Sequence, residues 1–130
     1  MGTVILDASV VIGLLDAADG HHERAVDDVD TADGARHTVL IPASAYSEAL
    51  VAFARENRIA DARDAIAAMG IAITPLTAPI AETAAELRAY HPRLRLPDAI
   101  VLANARNLDA LLLSYDQRLT ELAGQDPNPI

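Results

Sequence analysis

The sequence predicts an α/β fold in three layers, with a central, mostly parallel sheet of four to five strands flanked by helices. Three observations predict it. Four short apolar runs are continuous rather than alternating, as strands covered on both faces are. Amphipathic stretches at helical spacing separate them, and regular strand–helix alternation points to a parallel sheet. Aromatic residues make up 3% of a chain that is 52% hydrophobic. The core must therefore come from Ala, Val, Leu and Ile, which suits helices lying close on a sheet.

In chain order, "TVIL" reads as the first strand, Thr3–Leu6, and is followed at once by Asp7 and an apolar helical run carrying Val10, Val11, Leu14 and Leu15. The segment "HHERAVDDV" predicts a helix between Gly20 and Gly34. His21 and His22 are adjacent, so a helix splays them about 100° apart, and they read as surface residues rather than a metal pair. Glu23 reads as a solvated helical acid. The second strand is Thr38–Ile41, and the helix after it carries Tyr46, Ala49, Leu50, Phe53 and Ala54. Ile59, Ala62, Ile66 and Met69 mark a further helix, which Gly70 ends before the third strand, Ile71–Thr74. Ile80, Ala84 and Leu87 mark another; Pro97 and Asp98 open the next, and Ala110–Leu113 is the fourth strand. The tail "GQDPNPI", with two prolines, fits a fifth edge strand poorly. No linker, repeat or low-complexity segment interrupts the chain, so residues 1–130 read as a single domain.

Ten basic residues, all Arg, stand against nineteen acidic ones, for a formal net charge of −9. The field of such a chain repels nucleic acid and anionic membrane, so a nucleic-acid partner needs local arginines, metal ions or a second subunit. The absence of Cys excludes disulfides, zinc thiolates and Cys nucleophiles. No uninterrupted apolar stretch approaches the roughly 18 residues of a membrane span, and no basic region marks a signal peptide. A cytoplasmic protein without a membrane partner is expected.

A buried strand that ends in a carboxylate needs an explanation, because an unpaired buried charge costs several kcal/mol. Ligands of open parallel sheets gather at the carboxyl ends of the strands. Asp7 follows the first strand and Asp116 follows the fourth, in "LLLSYDQRL". Glu48 lies in the first turns of the helix after the second strand, and Asp98 opens a helix in "RLRLPDAIVLANA". Taken singly, Asp98 and Asp116 can be helix caps and Glu48 a solvated acid. Four acids at equivalent places point instead to a shared cation. Oxygen donors without Cys or a His pair suit Mg²⁺ or Mn²⁺, which can activate a water and stabilise charge on a transferring phosphate. Ser9 and Ser114, each two residues from an acid, can hydrogen-bond a neighbouring carboxylate or cap locally. Arg93 and Arg95 can meet a phosphate backbone or stay solvated. A phospho-receiver pocket needs a Lys that the chain lacks. A haloacid-dehalogenase site needs Asp where Ser9 stands, and no Gly-rich phosphate loop is present.

The ordered set "VILDASVVIGLLD", "IPASAYSEAL", "LRLPDAIVLANAR" and "LLLSYDQRL" resembles PIN domains, specifically the VapC toxins of bacterial toxin–antitoxin pairs. The resemblance implies a PIN-like fold with Asp7, Glu48, Asp98 and Asp116 as the acidic quartet. Asp7 and Asp98 would be the principal Mg²⁺ ligands, with Ser9 and Ser114 beside them. It implies an endoribonuclease acting on RNA, a homodimer, and a cognate VapB-type antitoxin lying across the active-site groove. The helix beginning near Ala43, with Val51 and Arg55, and the helix after Gly20 are the groove candidates; the alternative is that these mixed faces serve homodimer contacts. A PIN-like module without activity, binding only RNA or a protein partner, is the alternative.

Overall fold

The computed structural model describes residues 2–124. The chain runs β1 (Thr3–Leu6), α1 (Ala8–Leu15), α2 (His22–Gly34), β2 (Thr38–Pro42), α3 (Ala43–Arg55) and α4 (Ile59–Ala68). It continues β3 (Ala72–Thr74), α5 (Ala78–Tyr90), α6 (Leu96–Asn107), β4 (Leu111–Leu113) and α7 (Gln117–Ala123). The four strands form one sheet in the order β3-β2-β1-β4, and every pair is parallel. All four apolar runs are strands, with ends moved by one residue at most. The poorly fitting fifth strand falls on residues outside those described.

Strand order locates the site. From β1 the chain steps outward to β2 and β3, then returns to lay β4 on the other side of β1. The direction reverses between β1 and β4, and a crevice opens at such a switch point above the carboxyl ends of the strands. Asp7 and Ser114 are the residues immediately beyond those two ends.

Burial explains the rigidity of this frame. Val4, Ile5 and Leu6 are buried, and residues 99–105 of α6 are buried without interruption. A helix buried all round is a core helix, so α6 holds Asp98 on a fixed axis. Gly13 lets α2 cross close over α1, since a Cβ there would stand 3.1 Å from that of Ala25.

Four helices share one ending. Arg36, Asn57, Gly70 and Asp109 have positive φ just past α2, α3, α4 and α6. After α4, the Gly70 N–H donates to Ala67 O at 3.0 Å and the Ile71 N–H to Ile66 O at 3.4 Å, with both isoleucines buried. This is the Schellman pattern, which satisfies the last carbonyls and turns the chain sharply. The turns after α2, α4 and α6 feed the chain straight into β2, β3 and β4. No helix among the described residues is long and apolar enough to cross a membrane.

Candidate active site

Asp7 is built into the junction of β1, β4 and α1. Its backbone N–H donates to Leu113 O at 3.0 Å, which continues the β1–β4 ladder. Its side chain is buried at 5% exposure, and three donors converge on it. Oδ1 accepts the Ala8 N–H at 2.7 Å, while Oδ2 accepts the hydroxyls of Ser9 at 3.0 Å and Ser114 at 2.8 Å. The two serines in turn accept backbone donors, Ser9 Oγ from the Tyr115 N–H and Ser114 Oγ from the Asp116 N–H. Both hydroxyls are thus used, and each ties the loop after β4 to the carboxylate after β1.

Asp116 accepts the N–H groups of Arg118 and Leu119 through Oδ1 and so caps α7. Asp7 likewise caps α1. The ordinary capping explanation therefore holds for both, alongside any other role. It does not hold for Asp98, which lies inside the first turn of α6, where Arg95 occupies the cap position without a side-chain bond. The Asp98 side chain is 19% exposed. Burial pushes its carboxyl above the ordinary range, Arg95 opposes the shift, and the charges of Asp7, Glu48 and Asp116 add to it. All four acids thus lie within one electrostatic neighbourhood.

Glu48 is not a freely solvated acid. Arg95 Nη2 donates to its Oε1 at 2.7 Å, and Arg95 Nε stands 3.9 Å from Asp98 Oδ2. On the same face of α3, one turn earlier, the buried Ser44 Oγ has no hydrogen-bond partner. Arg93, Arg95 and Arg118 line a cleft of about 180 Å³ together with Asp98 and Asp116. This is the local positive charge that a −9 chain needs to approach a polyanion. Arg118 was visible two residues past Asp116, but only its contact with the cleft marks it.

Tyr115 is a second residue that sequence reasoning misses. Its hydroxyl donates to Asp28 Oδ2 at 2.8 Å, Arg24 lies 4.4 Å over its ring, and His21 packs 4.7 Å away. Burial and then the Asp28 hydrogen bond push the phenol well above its usual range. His21 does lie at the surface, while the His22 Nδ1–H donates to Gly13 O. Neither joins the acids.

The groove departs from expectation. A cavity of about 420 Å³ lies between the end of α1 and α3, with Leu15, Val51, Phe53 and Arg55 in its walls. The lining comes from α1, α3 and the residues just after each, not from α2, because α2 packs over α1 on the Gly13 side.

The donor set fits a hard cation in its chemistry. All candidate donors are oxygens, and the Arg95 guanidinium already sits on Glu48 and Asp98 as a stand-in positive charge. Among the described residues, no three His, Asp or Glu side chains form a ready-made ligand group. Mg²⁺ commonly takes one or two carboxylates directly and keeps several waters, so it does not require one.

An oxygen-donor acidic cluster at the switch point of a parallel sheet is the class of site that fold and geometry define. The PIN domain family model matches residues 4–125, and the chain belongs to the PIN-domain family. The fold is similar to that of Mycobacterium tuberculosis VapC20, a sarcin-ricin loop cleaving toxin, with a TM-score of 0.72 and 19% identity over 97% of this chain and 98% of that one. It is also similar to a chain of a toxin–antitoxin complex from Klebsiella pneumoniae, with a TM-score of 0.71 and 22% identity over 98% and 100%. No curated protein matches the sequence.

Proposed function

We propose that this protein is a Mg²⁺-dependent endoribonuclease toxin neutralised by a cognate VapB-type antitoxin. The observation that carries the proposal is geometric: Asp98 and Asp116 line one arginine-walled cleft, and Arg95 in that cleft bridges Asp98 to Glu48. Capping accounts for Asp7 and Asp116 singly but not for the convergence of four acids, since like charges held together disfavour one another's ionisation unless a cation joins them. Asp7 and Asp98 would hold the ion, with Glu48 and Asp116 completing its surroundings. Mn²⁺ can take the same place. Bound there, the ion supplies Lewis-acid stabilisation of phosphate charge and a low-pKa water.

The chain's own residues do the rest. Ser9 and Ser114 hold the Asp7 carboxylate in one orientation. Arg93, Arg95 and Arg118 bind phosphates flanking the scissile bond, and Glu48 or Asp116 takes the proton of the attacking water. The groove between α1 and α3 suits an amphipathic antitoxin helix, with apolar walls and Arg55 at its side. Pairing as a homodimer belongs to the same reading.

RNA incubated with the pure protein and Mg²⁺, followed by sequencing of the fragments, tests the activity. Asp7→Asn and Asp98→Asn are expected to abolish cleavage, and Glu23→Gln to leave it unchanged. Full cleavage by either Asn variant at saturating Mg²⁺ would remove the site. The lack of a ready-made ligand triad favours a second reading, an inactive module that binds RNA or a protein without metal. Calorimetric titration with Mg²⁺ separates the two, since only the enzyme requires uptake of the ion.

A further inference from the structure

Arg95 occupies an unusual place for a phosphate-binding residue. It reaches in from solvent, with 62% of its side chain exposed, and covers two carboxylates that are 35% and 19% exposed. Its closest contact is Glu48 Oε1 at 2.7 Å, and its Nε faces Asp98 Oδ2 at 3.9 Å. Glu48 on α3 and Asp98 on α6 lie far apart in sequence, and this one guanidinium contacts both. Hydrogen bonding to Glu48 and the charge of Asp98 and Glu48 raise its own pKa further, so it remains a cation at every relevant pH.

A divalent cation entering from solvent would need the same outward-facing oxygens. Two cations cannot share them cheaply, because the repulsion between a unit charge and a divalent ion a few ångströms apart is substantial even at a partly exposed site. Resting on the nuclease reading above, we propose that Arg95 is the resting-state counter-ion of the acidic site. It holds Glu48 and Asp98 together before metal arrives, competes with the metal for them, and on displacement turns outward to RNA phosphate. Metal uptake and substrate binding are thereby linked. RNA draws Arg95 away from the acids, so metal binds better when RNA is present, and by linkage RNA binds better when metal is present.

The test is a calorimetric Mg²⁺ titration of the wild-type protein, Arg95→Ala and Arg95→Lys without RNA, with cleavage kinetics alongside. Arg95→Ala is expected to bind Mg²⁺ roughly threefold to tenfold more tightly, since a competing charge is gone but screened by solvent. Arg95→Lys keeps the charge and is expected to stay near wild type. In the cleavage assay Arg95→Ala is expected to raise KM for RNA more than it lowers kcat. Unchanged or weaker Mg²⁺ binding by Arg95→Ala overturns the competition while leaving the nuclease reading intact. Equal tightening in the Lys variant overturns it too, since charge is then not the cause. If no form takes up Mg²⁺, the metal reading fails and this proposal fails with it.

Discussion

Ser114 donates its hydroxyl to Asp7 Oδ2 at 2.8 Å, joining the carboxyl ends of two adjacent strands across 107 residues of sequence. Ser114 Oγ in turn accepts the Asp116 N–H, so one side chain sets the positions of two acids. Ser114→Ala removes both bonds in a buried place. A loss of roughly 1.5–3 kcal/mol in unfolding free energy is expected, the usual cost of losing a hydrogen bond to a charged group. Urea denaturation measures it. A variant as stable as its parent would mean that the hydroxyl is dispensable.

Asp98 predicts the pH dependence of the metal-free protein. Burial first, and then the neighbouring acids, hold its folded carboxyl above the unfolded value. The folded state therefore binds that proton more tightly than the unfolded chain. The associated stability is fully present below about pH 4, the unfolded value, and is lost as pH rises through the raised folded value. Asp98→Asn removes this dependence, so its stability is expected to change less with pH just above pH 4. At pH 7 the metal-free variant is expected to be at least as stable as the parent. Denaturation across a pH series gives the answer. A clear loss at pH 7 would show that pairing with Arg95 outweighs the cost of burial.

The proposed Mg²⁺ site carries a linked prediction. The ion favours the ionised acids, so protons leave as it binds. Calorimetry near pH 5 in two buffers of different ionisation enthalpy is expected to give different heats. Equal heats would mean that no acid changes protonation.

Tyr115 anchors the loop between Ser114 and Asp116 to α2 through Asp28. Tyr115→Phe and Asp28→Asn are each expected to cost about 1 kcal/mol, and the double variant less than their sum. The double-mutant cycle measures the coupling, and additivity would deny it.

Arg36 carries a positive φ of 61° without the freedom of glycine. That conformation costs an ordinary residue roughly 1–2 kcal/mol, part of which glycine returns as unfolded-state entropy. Arg36→Gly is expected to stabilise the fold by about 0.5–1 kcal/mol in thermal or urea unfolding. It lies away from the acids, so cleavage is expected to be unaffected.

The frame of the molecule was legible because its signals are local. Continuous apolar runs mark Thr3–Leu6 and the other strands, and Gly70 announces the turn before β3. The four acids stood out because each follows a strand or opens a helix. What joins them was not legible. The Arg95–Glu48 pair spans 47 residues and the Tyr115–Asp28 bond 87. Nothing in either neighbourhood announces its partner, because such pairs arise only from the crossing of helices over the sheet. The turn at Arg36 was equally hidden, since Arg seldom takes positive φ, whereas Asn57 and Asp109 are residue types that tolerate it. The groove was half legible. Val51 and Arg55 marked α3, but its opposite wall depends on which side of α1 is left open by α2.

The pairing of β4 with β1 also sets an order in time. β1, at Thr3–Leu6, leaves the ribosome long before its neighbour β4, which begins at Leu111. Until then the growing chain can align β1, β2 and β3, yet Asp7 has neither Leu113 nor Ser114 to meet it. Closing so long a loop comes after local structure has formed. Whatever chemistry the acids perform therefore begins only after β4 has been made and has docked on β1.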